Sequence, residues 1–321
     1  MNLLLVISNQ TDPHLNVAVE NYLLNQELTH TVTMYLWKNF RTVVVGKNQN
    51  PFAECNAALL LEEGGFVMRR STGGGAVYHD SGNINFSFIA SHDEYDVLKQ
   101  FSVLQKAVAA YGLHTQISGR NDVLCEGRKF SGNAFNKGKY QHLHHGTILI
   151  NGNMNDMQRY LKVKPSKLQK HGVQSVRSRV VNLAELAPVT SENIVPNMIS
   201  AFEAIYGEKA KIMDFDSLTQ LPAVKQLYQQ YSSDEWIWNK WKHFSAQKTA
   251  SFSWGEVELS IDTDEQKGII QQVVIASDSL QPEAIEQARI LLEGASMHQA
   301  PDFDKNSKHA EIITDILSLV Y

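Results

Sequence analysis

Residues 66–88, FVMRRSTGGGAVYHDSGNINFSF, constrain the fold more than any other stretch of the chain. Phe66 to Met68 is a short apolar run that reads as a buried strand. Arg69 and Arg70 follow, then Ser71, Thr72 and the three consecutive glycines Gly73, Gly74 and Gly75. Ala76 to Tyr78 is apolar again, and His79-Asp80-Ser81-Gly82-Asn83 is a turn cluster. Ile84, Phe86 and Phe88 then alternate with Asn85 and Ser87, the pattern of a half-buried strand. Each glycine loses more backbone freedom on folding than other residues, roughly 0.5–1 kcal/mol relative to Ala. What glycines provide in return is a backbone that turns sharply and approaches a ligand closely. Successive N–H groups in such a turn form a concave anion site, and neighbouring arginines add charge-assisted, bidentate contacts. The stretch therefore reads as a phosphate or carboxylate site, against the alternative of a flexible hairpin tip flanked by surface arginines. It is not a Walker loop, because no Lys-Ser/Thr follows the glycines. Nor is it a GxGxxG dinucleotide turn, because a strand and not a helix comes next.

A chain of 321 residues holds one large domain, or a large and a small one. A net charge of −5 argues against a general nucleic-acid binder, though not against a local basic patch. Cys55 and Cys125 are too few for a disulfide framework and suggest a reducing compartment. The N-terminal MNLLLVISNQTD lacks a basic leader region and a small-residue cleavage site, so it reads as a first strand. No apolar run reaches membrane-spanning length. The expectation is a soluble, cytoplasmic protein that engages neither membrane nor nucleic acid.

Along the chain, residues 3–7 read as a strand. Asp12-Pro13 reads as a cap and first helical position, for a helix to about Leu28 with Leu15, Val19, Tyr22 and Leu23 on its buried face. Residues 31–37 and 42–46 are β-branched runs around an Asn39-Phe40-Arg41 turn, which predicts a hairpin. Asn50-Pro51 caps an expected helix to about Glu63. Residues 96–111 fit a helix ended by Gly112. Strand-like pieces at 114–118, 122–125, 129–135 and 140–150 predict a meander, followed by a short helix at 153–160. Residues 162–179 carry Lys162, Lys164, Lys167, Lys170, Arg177 and Arg179 with no acidic residue. That segment reads as a solvated basic loop, or as a flap over an anionic ligand or patch for an acidic partner. Helices are expected at 191–206 and 221–231, then a core-closing aromatic cluster of Trp236, Trp238, Trp241 and Phe244. A strand at 251–261, a second at 268–275 and helices at 282–292 and 310–320 make a small unit after a polar linker at 243–250.

A second informative piece is residues 119–135, GRNDVLCEGRKFSGNAF. Lys129 lies among small and apolar neighbours. Facing a pocket, its ammonium is a compact positive charge that can stabilise phosphoryl or developing oxyanion charge in acyl transfer. The ordinary alternative is an edge-strand lysine. Asn121-Asp122 reads as a turn or as a carboxylate for metal or purine contacts. His142, His144 and His145 lack a Cys pair or an HExxH pattern, so structural roles are favoured over zinc. His142 and His144 share one strand face and His145 takes the other. Cys125 is a candidate nucleophile without a placeable base, which favours a buried structural cysteine.

Taken together, these pieces resemble lipoate–protein ligase A of bacteria. The resemblance is carried by Arg69-Arg70-Ser71-Thr72-Gly73-Gly74-Gly75-Ala76-Val77-Tyr78-His79-Asp80 with Gly82-Asn83, by Gly119-Arg120-Asn121-Asp122, by Lys129-Phe130-Ser131-Gly132-Asn133-Ala134 and by His144-His145-Gly146-Thr147. Asn16-Val17-Ala18-Val19-Glu20, Gly46-Lys47-Asn48-Gln49-Asn50-Pro51 and Val176-Arg177-Ser178-Arg179-Val180 also look like the family. The likeness covers nearly the whole chain. It implies an α/β fold of the α+β type. A mixed-sheet catalytic domain related to biotin protein ligase and octanoyltransferase would span 1–246, and a small α+β accessory domain 247–321.

The resemblance further implies that ATP and lipoate, with Mg²⁺, give lipoyl-AMP and pyrophosphate. The acyl group then passes to one lysine of an apo lipoyl domain, on a 2-oxoacid dehydrogenase E2 subunit or the glycine cleavage H protein. Carried over by motif, Arg70, Ser71, Gly73, Gly74, Gly75, Ala76, Val77 and Tyr78 would bind the nucleotide, with Asn121, Asp122 and Lys129. Arg70, His79, Lys129, Ser131, Gly132, His145 and Gly146 would bind lipoate, and Lys129 would be catalytic. Metal ligands are not assigned. The chain departs from the family where Asn133 stands for a common Ser and Phe130 for a common Ile or Val, changes that touch acyl preference. Competing readings are a lipoyltransferase using ready-made lipoyl-AMP, an octanoyltransferase using Cys125, a non-catalytic sensor and, less favoured, a biotin ligase.

Overall fold

A computed structural model describes residues 1–119, 121–162, 180–238, 246–264 and 268–321. Arg120, the basic stretch after Lys162, Trp241 and Phe244 lie outside the described residues. The chain forms two compact units. Met1–Val44, Cys55–Met68 and Val77–Ser233 make the first; Val45–Glu54, Arg69–Ala76 and Asp234–Tyr321 make the second.

The strands in chain order are β1 (Asn2–Ile7), β2 (Thr31–Trp37), β3 (Thr42–Val45), β4 (Phe66–Arg69), β5 (Val77–His79), β6 (Asn83–Ser91) and β7 (Thr115–Ser118). They continue as β8 (Asp122–Cys125), β9 (Arg128–Lys137), β10 (Gln141–Leu149), β11 (Lys211–Ile212), β12 (Ala246–Phe252), β13 (Gly255–Asp264) and β14 (Ile269–Ser277). In the first unit an eight-stranded mixed sheet runs β11-β1-β2-β6-β10-β9-β8-β7. β1 is parallel to β2 and β11, and β2, β6, β10, β9, β8 and β7 are antiparallel neighbours in turn. The expected meander from 114 to 150 is therefore present.

The sheet is covered on both faces. Apolar residues of one face, among them Leu3, Met34, Phe86 and Phe88, join Phe101 and Leu104 of the helix Val97–Ala109 and Met198 and Phe202 of the helix Ser191–Tyr206 in one core. Asp96 caps the first of these helices and a Thr190–Asn193 box the second, which ends on Gly207 in the left-handed region at φ 79°. The other face meets the helix Pro13–Leu24, whose N-cap Asp12 accepts from the N–H groups of His14 and Leu15. This helix buries Asn16, Glu20 and Asn21 beside Val17 and Val19, while Leu15 and Tyr22 are only half-buried. Its inward face therefore differs from the stripe that its leucines suggest. The same fact corrects the expectation for β6. Every residue of β6 is buried, including Asn85 and Ser87; Ser87 meets Glu20 of the helix, and Asn85 accepts from Asn83 in its own strand.

The expected hairpin of β2 and β3 does not form. β2 sits between β1 and β6, whereas β3 is the middle strand of a second sheet, β4-β3-β5. The glycine stretch thus joins two strands that flank β3 and do not pair with each other. The helix expected from 51 to 63 is two short pieces, Pro51–Glu54 and Ala57–Glu62. The break falls where Cys55 bridges Leu161 and the Asn56 N–H donates to Tyr160 O.

In the second unit β12-β13-β14 form an antiparallel sheet. The strand expected at 251–261 is a tight hairpin turning at 253–254, and much of the expected polar linker is strand β12. Val257, Leu259, Ile261 and Ile275 pack with Ile285 of the helix Pro282–Leu292 and Ile313 of the helix Ala310–Leu317. No helix among the described residues is long and apolar enough to cross a membrane.

The turn before β6 shows how tightly the first unit is closed. Asp80 Oδ1 accepts from the Gly82 N–H and Asp80 Oδ2 from the Asn153 N–H, while Gly82 O accepts from Ile150 and Asn151. A Cβ on Gly82 would fall 2.1 Å from Asn151 O and 2.6 Å from Gly152 N. Those are backbone atoms that cannot rotate away, so Gly82→Ala is expected to destabilise the chain by about 1–3 kcal/mol. A urea midpoint equal to that of the parent would contradict this packing.

Candidate active site

The paired arginines do different work. Arg69 ends β4, is 2% exposed, and turns its guanidinium to carbonyl oxygens. It donates to Gly46, Lys47 and Gln49 O at 3.0, 3.0 and 2.7 Å and to Trp236 and Ile237 O at 3.0 and 2.7 Å. Trp236 returns its indole N–H to Arg69 O at 2.9 Å. Burial, and then Arg70, pull the Arg69 pKa down to about 10, which leaves it charged at neutral pH. Arg69 is thus a clamp on the segments 46–49 and 236–237.

Arg70 bends back over the glycine turn. Its Nε lies 3.0 Å from Thr72 Oγ1, and its terminal nitrogen donates to Gly73 O at 2.7 Å and Gly75 O at 2.8 Å. Two of the glycines are there for close approach. A Cβ on Gly73 would meet Ser279 O at 2.0 Å, and Gly74, at φ 93°, donates its N–H to that same oxygen at 3.0 Å. Gly75 has nothing within 4 Å of its would-be Cβ. Gly75, Ala76 and Val77 are half-buried, and Ser71 Oγ is buried with no hydrogen-bond partner among the described residues. The open side of the turn is therefore the 75–77 backbone, with a cation fixed behind it. Tyr78 and His79 follow in β5, both buried. Burial, and then Asp80, raise the Tyr78 phenol pKa, and His79 Nδ1 lies 3.3 Å from Asn39 Nδ2.

Lys129 is placed by an irregularity in the large sheet. Val123 pairs with Ser131 but Leu124 with Lys129, so Phe130 is an extra residue in β9. Phe130 drops into the core at 1% exposure, and Lys129 is turned to the half-exposed side. Its carbonyl accepts from the Val181 N–H at 2.9 Å. Its Nζ lies 2.7 Å from Asp122 Oδ1, with the two side chains 34% and 37% exposed. The lysine runs over Gly132, where a Cβ would come within 2.9 Å of both Cε and Nζ.

Around this lysine the strands are locked by amides. The Asn133 N–H and side-chain amide donate to Asn121 O at 2.9 and 3.0 Å, and Asn121 Nδ2 returns a bond to Asn133 O at 2.7 Å. Ser131 Oγ accepts from Asn133 Nδ2, and the Gly132 N–H donates to Thr147 Oγ1. Asn133 Oδ1 meets His144 Nε2 at 2.9 Å and would lie 2.5 Å from a Cβ on Gly146. Asn133 is therefore the joint between the strands around Lys129, and a serine is too short to make the same contacts.

The three histidines separate as expected for alternating strand residues. Burial, and then His145, hold the His144 pKa down to about 3, among Phe86, Phe88, Phe101 and Phe135. His144 is a neutral core residue. His145, on the other face, lies 2.8 Å from Glu20 Oε1. Ser87 Oγ donates to that oxygen at 2.5 Å, and Trp37 Nε1 donates to Ser87 Oγ at 3.0 Å. Glu20 is fully buried, and its other oxygen has no hydrogen-bond partner among the described residues. The sequence marks it as a carboxylate four positions after Asn16 in an apolar helix, at the end of a family-like stretch.

Cys125 is buried in the core with its thiol pKa raised, chiefly by burial, which argues against a thiolate nucleophile. Among the described residues one His/Asp/Glu cluster has metal-ligand spacing, the exposed or half-exposed His30, Asp93 and Glu94, and it includes none of the residues above. The structure thus brings Asn121, Asp122, Lys129, Ser131, Gly132, His145 and Gly146 onto neighbouring strands β8–β10, and Arg70, Ser71 and Gly73–Ala76 onto one turn of the second unit.

Comparison with known proteins points one way. Residues 12–203 match the family described as "Lipoyl protein ligase A/B catalytic domain", and residues 242–312 that described as "Bacterial lipoate protein ligase C-terminus". The chain is 36% identical over 295 residues to a lipoate-protein ligase A of Bdellovibrio bacteriovorus, covering 90% of this chain and 86% of the relative. It is 36% identical over 294 residues to that of Psychrobacter cryohalolentis, covering 89% and 86%. Among solved structures, LipL1 of P. falciparum in complex with lipoate superposes with a TM-score of 0.83 at 28% identity, over 99% of this chain and 100% of that one.

Two outcomes are expected of the buried groups. Arg69→Lys removes a planar fork that five carbonyls share, and should cost at least about 2 kcal/mol of stability. An unchanged denaturant midpoint would contradict the clamp. For His144 the folded pKa lies below the ordinary 6.5, so between about 6.5 and 3 the unfolded state binds a proton that the folded state refuses. Stability should therefore fall with acid across that window by up to about 1.4 kcal/mol per pH unit from this group. His144→Gln should show a correspondingly shallower fall between pH 6.5 and 5; parallel slopes would mean His144 titrates normally.

Proposed function

The chain belongs to the lipoate–protein ligase A family, and from that premise we propose that it attaches lipoate to a lysine of an acceptor protein in two steps. In the first, the lipoate carboxylate attacks the α-phosphorus of ATP; lipoyl-AMP forms and pyrophosphate leaves. In the second, the acceptor amine attacks the lipoyl carbonyl carbon; an amide forms and AMP leaves. The acceptors are apo lipoyl domains, those of 2-oxoacid dehydrogenase E2 subunits and the glycine cleavage H protein.

Physical chemistry assigns the work. Bringing a carboxylate to a phosphate sets two anions against each other, so fixed cations and N–H donors must offset their repulsion. Lys129 is the residue built for this. It is a half-exposed ammonium held in place by the Phe130 bulge and by the bare Gly132, and that observation carries the reading. In the second step the same ammonium faces the oxyanion that develops on the attacked carbonyl. The glycine turn contributes backbone N–H groups from its open side at residues 75–77. Arg70 braces the turn and places positive charge behind it. His145, oriented by Glu20, belongs to the lipoate-binding set with Ser131, Gly132 and Gly146. Mg²⁺ enters with ATP as part of the substrate, its ligands drawn largely from phosphate oxygens, as is usual for this ion.

A transferase that accepts only ready-made lipoyl-AMP would use the same lysine. The match of both the catalytic and the C-terminal family descriptions favours the full ligase. The Cys125 route is disfavoured by its burial. Lys129→Ala should lower pyrophosphate release from ATP and lipoate by roughly 10²–10³-fold, the usual loss for one preorganised contact of this kind. The fold should persist, since the lysine side chain is half-exposed. Near-normal pyrophosphate release by that variant would remove Lys129 from the role.

A further inference from the structure

We propose that Asp122 is a catalytic residue of the second step: its carboxylate receives the lysine ammonium of the acceptor protein and takes up its proton. The inference rests on the two-step reading and concerns a residue for which the pairing with Lys129 is the decisive observation.

Asp122 Oδ1 and Lys129 Nζ are 2.7 Å apart, and both side chains are about one-third exposed. An ion pair in contact with water contributes little to stability and exchanges partners readily. Lys129 has a reason to exchange, because the adenylate presents it with phosphate and acyl oxygens. When the ammonium turns to them, Asp122 is left as a carboxylate without its cation, one side chain away from the reacting carbonyl. The next cation that the reaction must bring to that place is the acceptor's ammonium. A carboxylate there is the group that recognises it.

The framework fits such an exchange. Asp122 is paired through the backbone with Gly132, and the reciprocal Asn121–Asn133 bonds fix the strand on either side. Only the two side chains need to move. Glu20, which also reaches these strands, is fully buried and engaged with His145 and Ser87, so it is closed to an incoming lysine.

The chemistry balances. The acceptor arrives as an ammonium and gives one proton to the Asp122 carboxylate, which passes it to solvent. The freed lone pair forms the C–N bond at the lipoyl carbonyl carbon. The nitrogen, now positively charged, sheds a second proton by the same route. The C–O bond to the phosphate breaks, and its electron pair leaves on AMP.

The test separates the half-reactions in the full-length chain. Asp122→Asn is loaded with ATP and lipoate in a single turnover, and pyrophosphate is counted. The adenylate is then offered either an apo lipoyl domain, read by intact mass, or hydroxylamine, an amine already neutral at pH 7, read as the hydroxamate. The expected result is that transfer to the lipoyl domain slows by roughly 10²-fold or more, well beyond what adenylate formation loses when a residue of the nucleotide-binding set is changed. Capture by hydroxylamine should fall far less, because it needs no proton removed beforehand. Asp122→Glu, which keeps the carboxylate, should transfer faster than Asp122→Asn. A denaturant midpoint equal to the parent's reports that the variant has folded. Transfer at the parent rate would overturn the proposal. So would equal losses with lipoyl domain and hydroxylamine, or a loss of adenylation as large as the loss of transfer, which would make Asp122 a residue that positions Lys129. A parent chain that releases no pyrophosphate from ATP and lipoate would instead overturn the two-step reading, and this inference with it.

Discussion

A cation proposed to meet several anions in turn can be neither buried nor loose, and the setting of Lys129 suits that constraint. Burying it would favour the neutral amine. Leaving it free on an edge strand would cost side-chain entropy at each encounter. The chain settles this with backbone features. One extra residue at Phe130 turns the lysine outward, a glycine at 132 makes room for its stem, and backbone pairing with Val180 and Val181 pins the strand. Much of the surrounding sheet follows. Asn133 must reach Asn121, Ser131 and His144 at once, and Gly146 must lack a side chain so that Asn133 fits.

The glycine turn obeys a related logic in the second unit. Three glycines and two arginines look at first like a mobile, highly charged tip. In the structure one arginine is a buried strut for two chain segments and the other staples its own turn. Rigidity suits the anion site proposed here, because N–H donors that are already oriented need no reorganisation when charge arrives. The polar layer under the helix Pro13–Leu24 serves the same end. Glu20, Ser87 and Trp37 form a buried chain of hydrogen bonds that holds His145 in one orientation.

What was legible in the sequence follows from the range of the interactions involved. Helices with local caps were readable, as at Asp12, Asp96 and Gly207, because the capping groups lie within a few residues of the ends. So were the Gly/Asn-turned strands from 115 to 149, since neighbours in sequence are neighbours in the sheet. The β2–β3 hairpin failed because two β-branched runs beside a turn say nothing about which sheet each joins. β6 was misjudged because Ser87 is buried against Glu20, on a helix some seventy residues earlier. The family resemblance named Lys129 and Arg70, and composition could not separate Arg70 from Arg69. That distinction is made by carbonyls at 46–49 and 236–237, far away in the chain. Asn133 and Glu20 stood out only by resemblance, and what each does was not readable, because each acts through partners on distant strands.

The most direct test of the account is made on the unaltered protein. An apo lipoyl domain is incubated with the chain, MgATP and lipoate; its intact mass and the released pyrophosphate are followed together, with controls that omit ATP or the acceptor. The account predicts pyrophosphate release without the acceptor, and one lipoyl group per acceptor domain only when ATP and lipoate are both present. Modification from supplied lipoyl-AMP alone, with no pyrophosphate formed from ATP and lipoate, would contradict it.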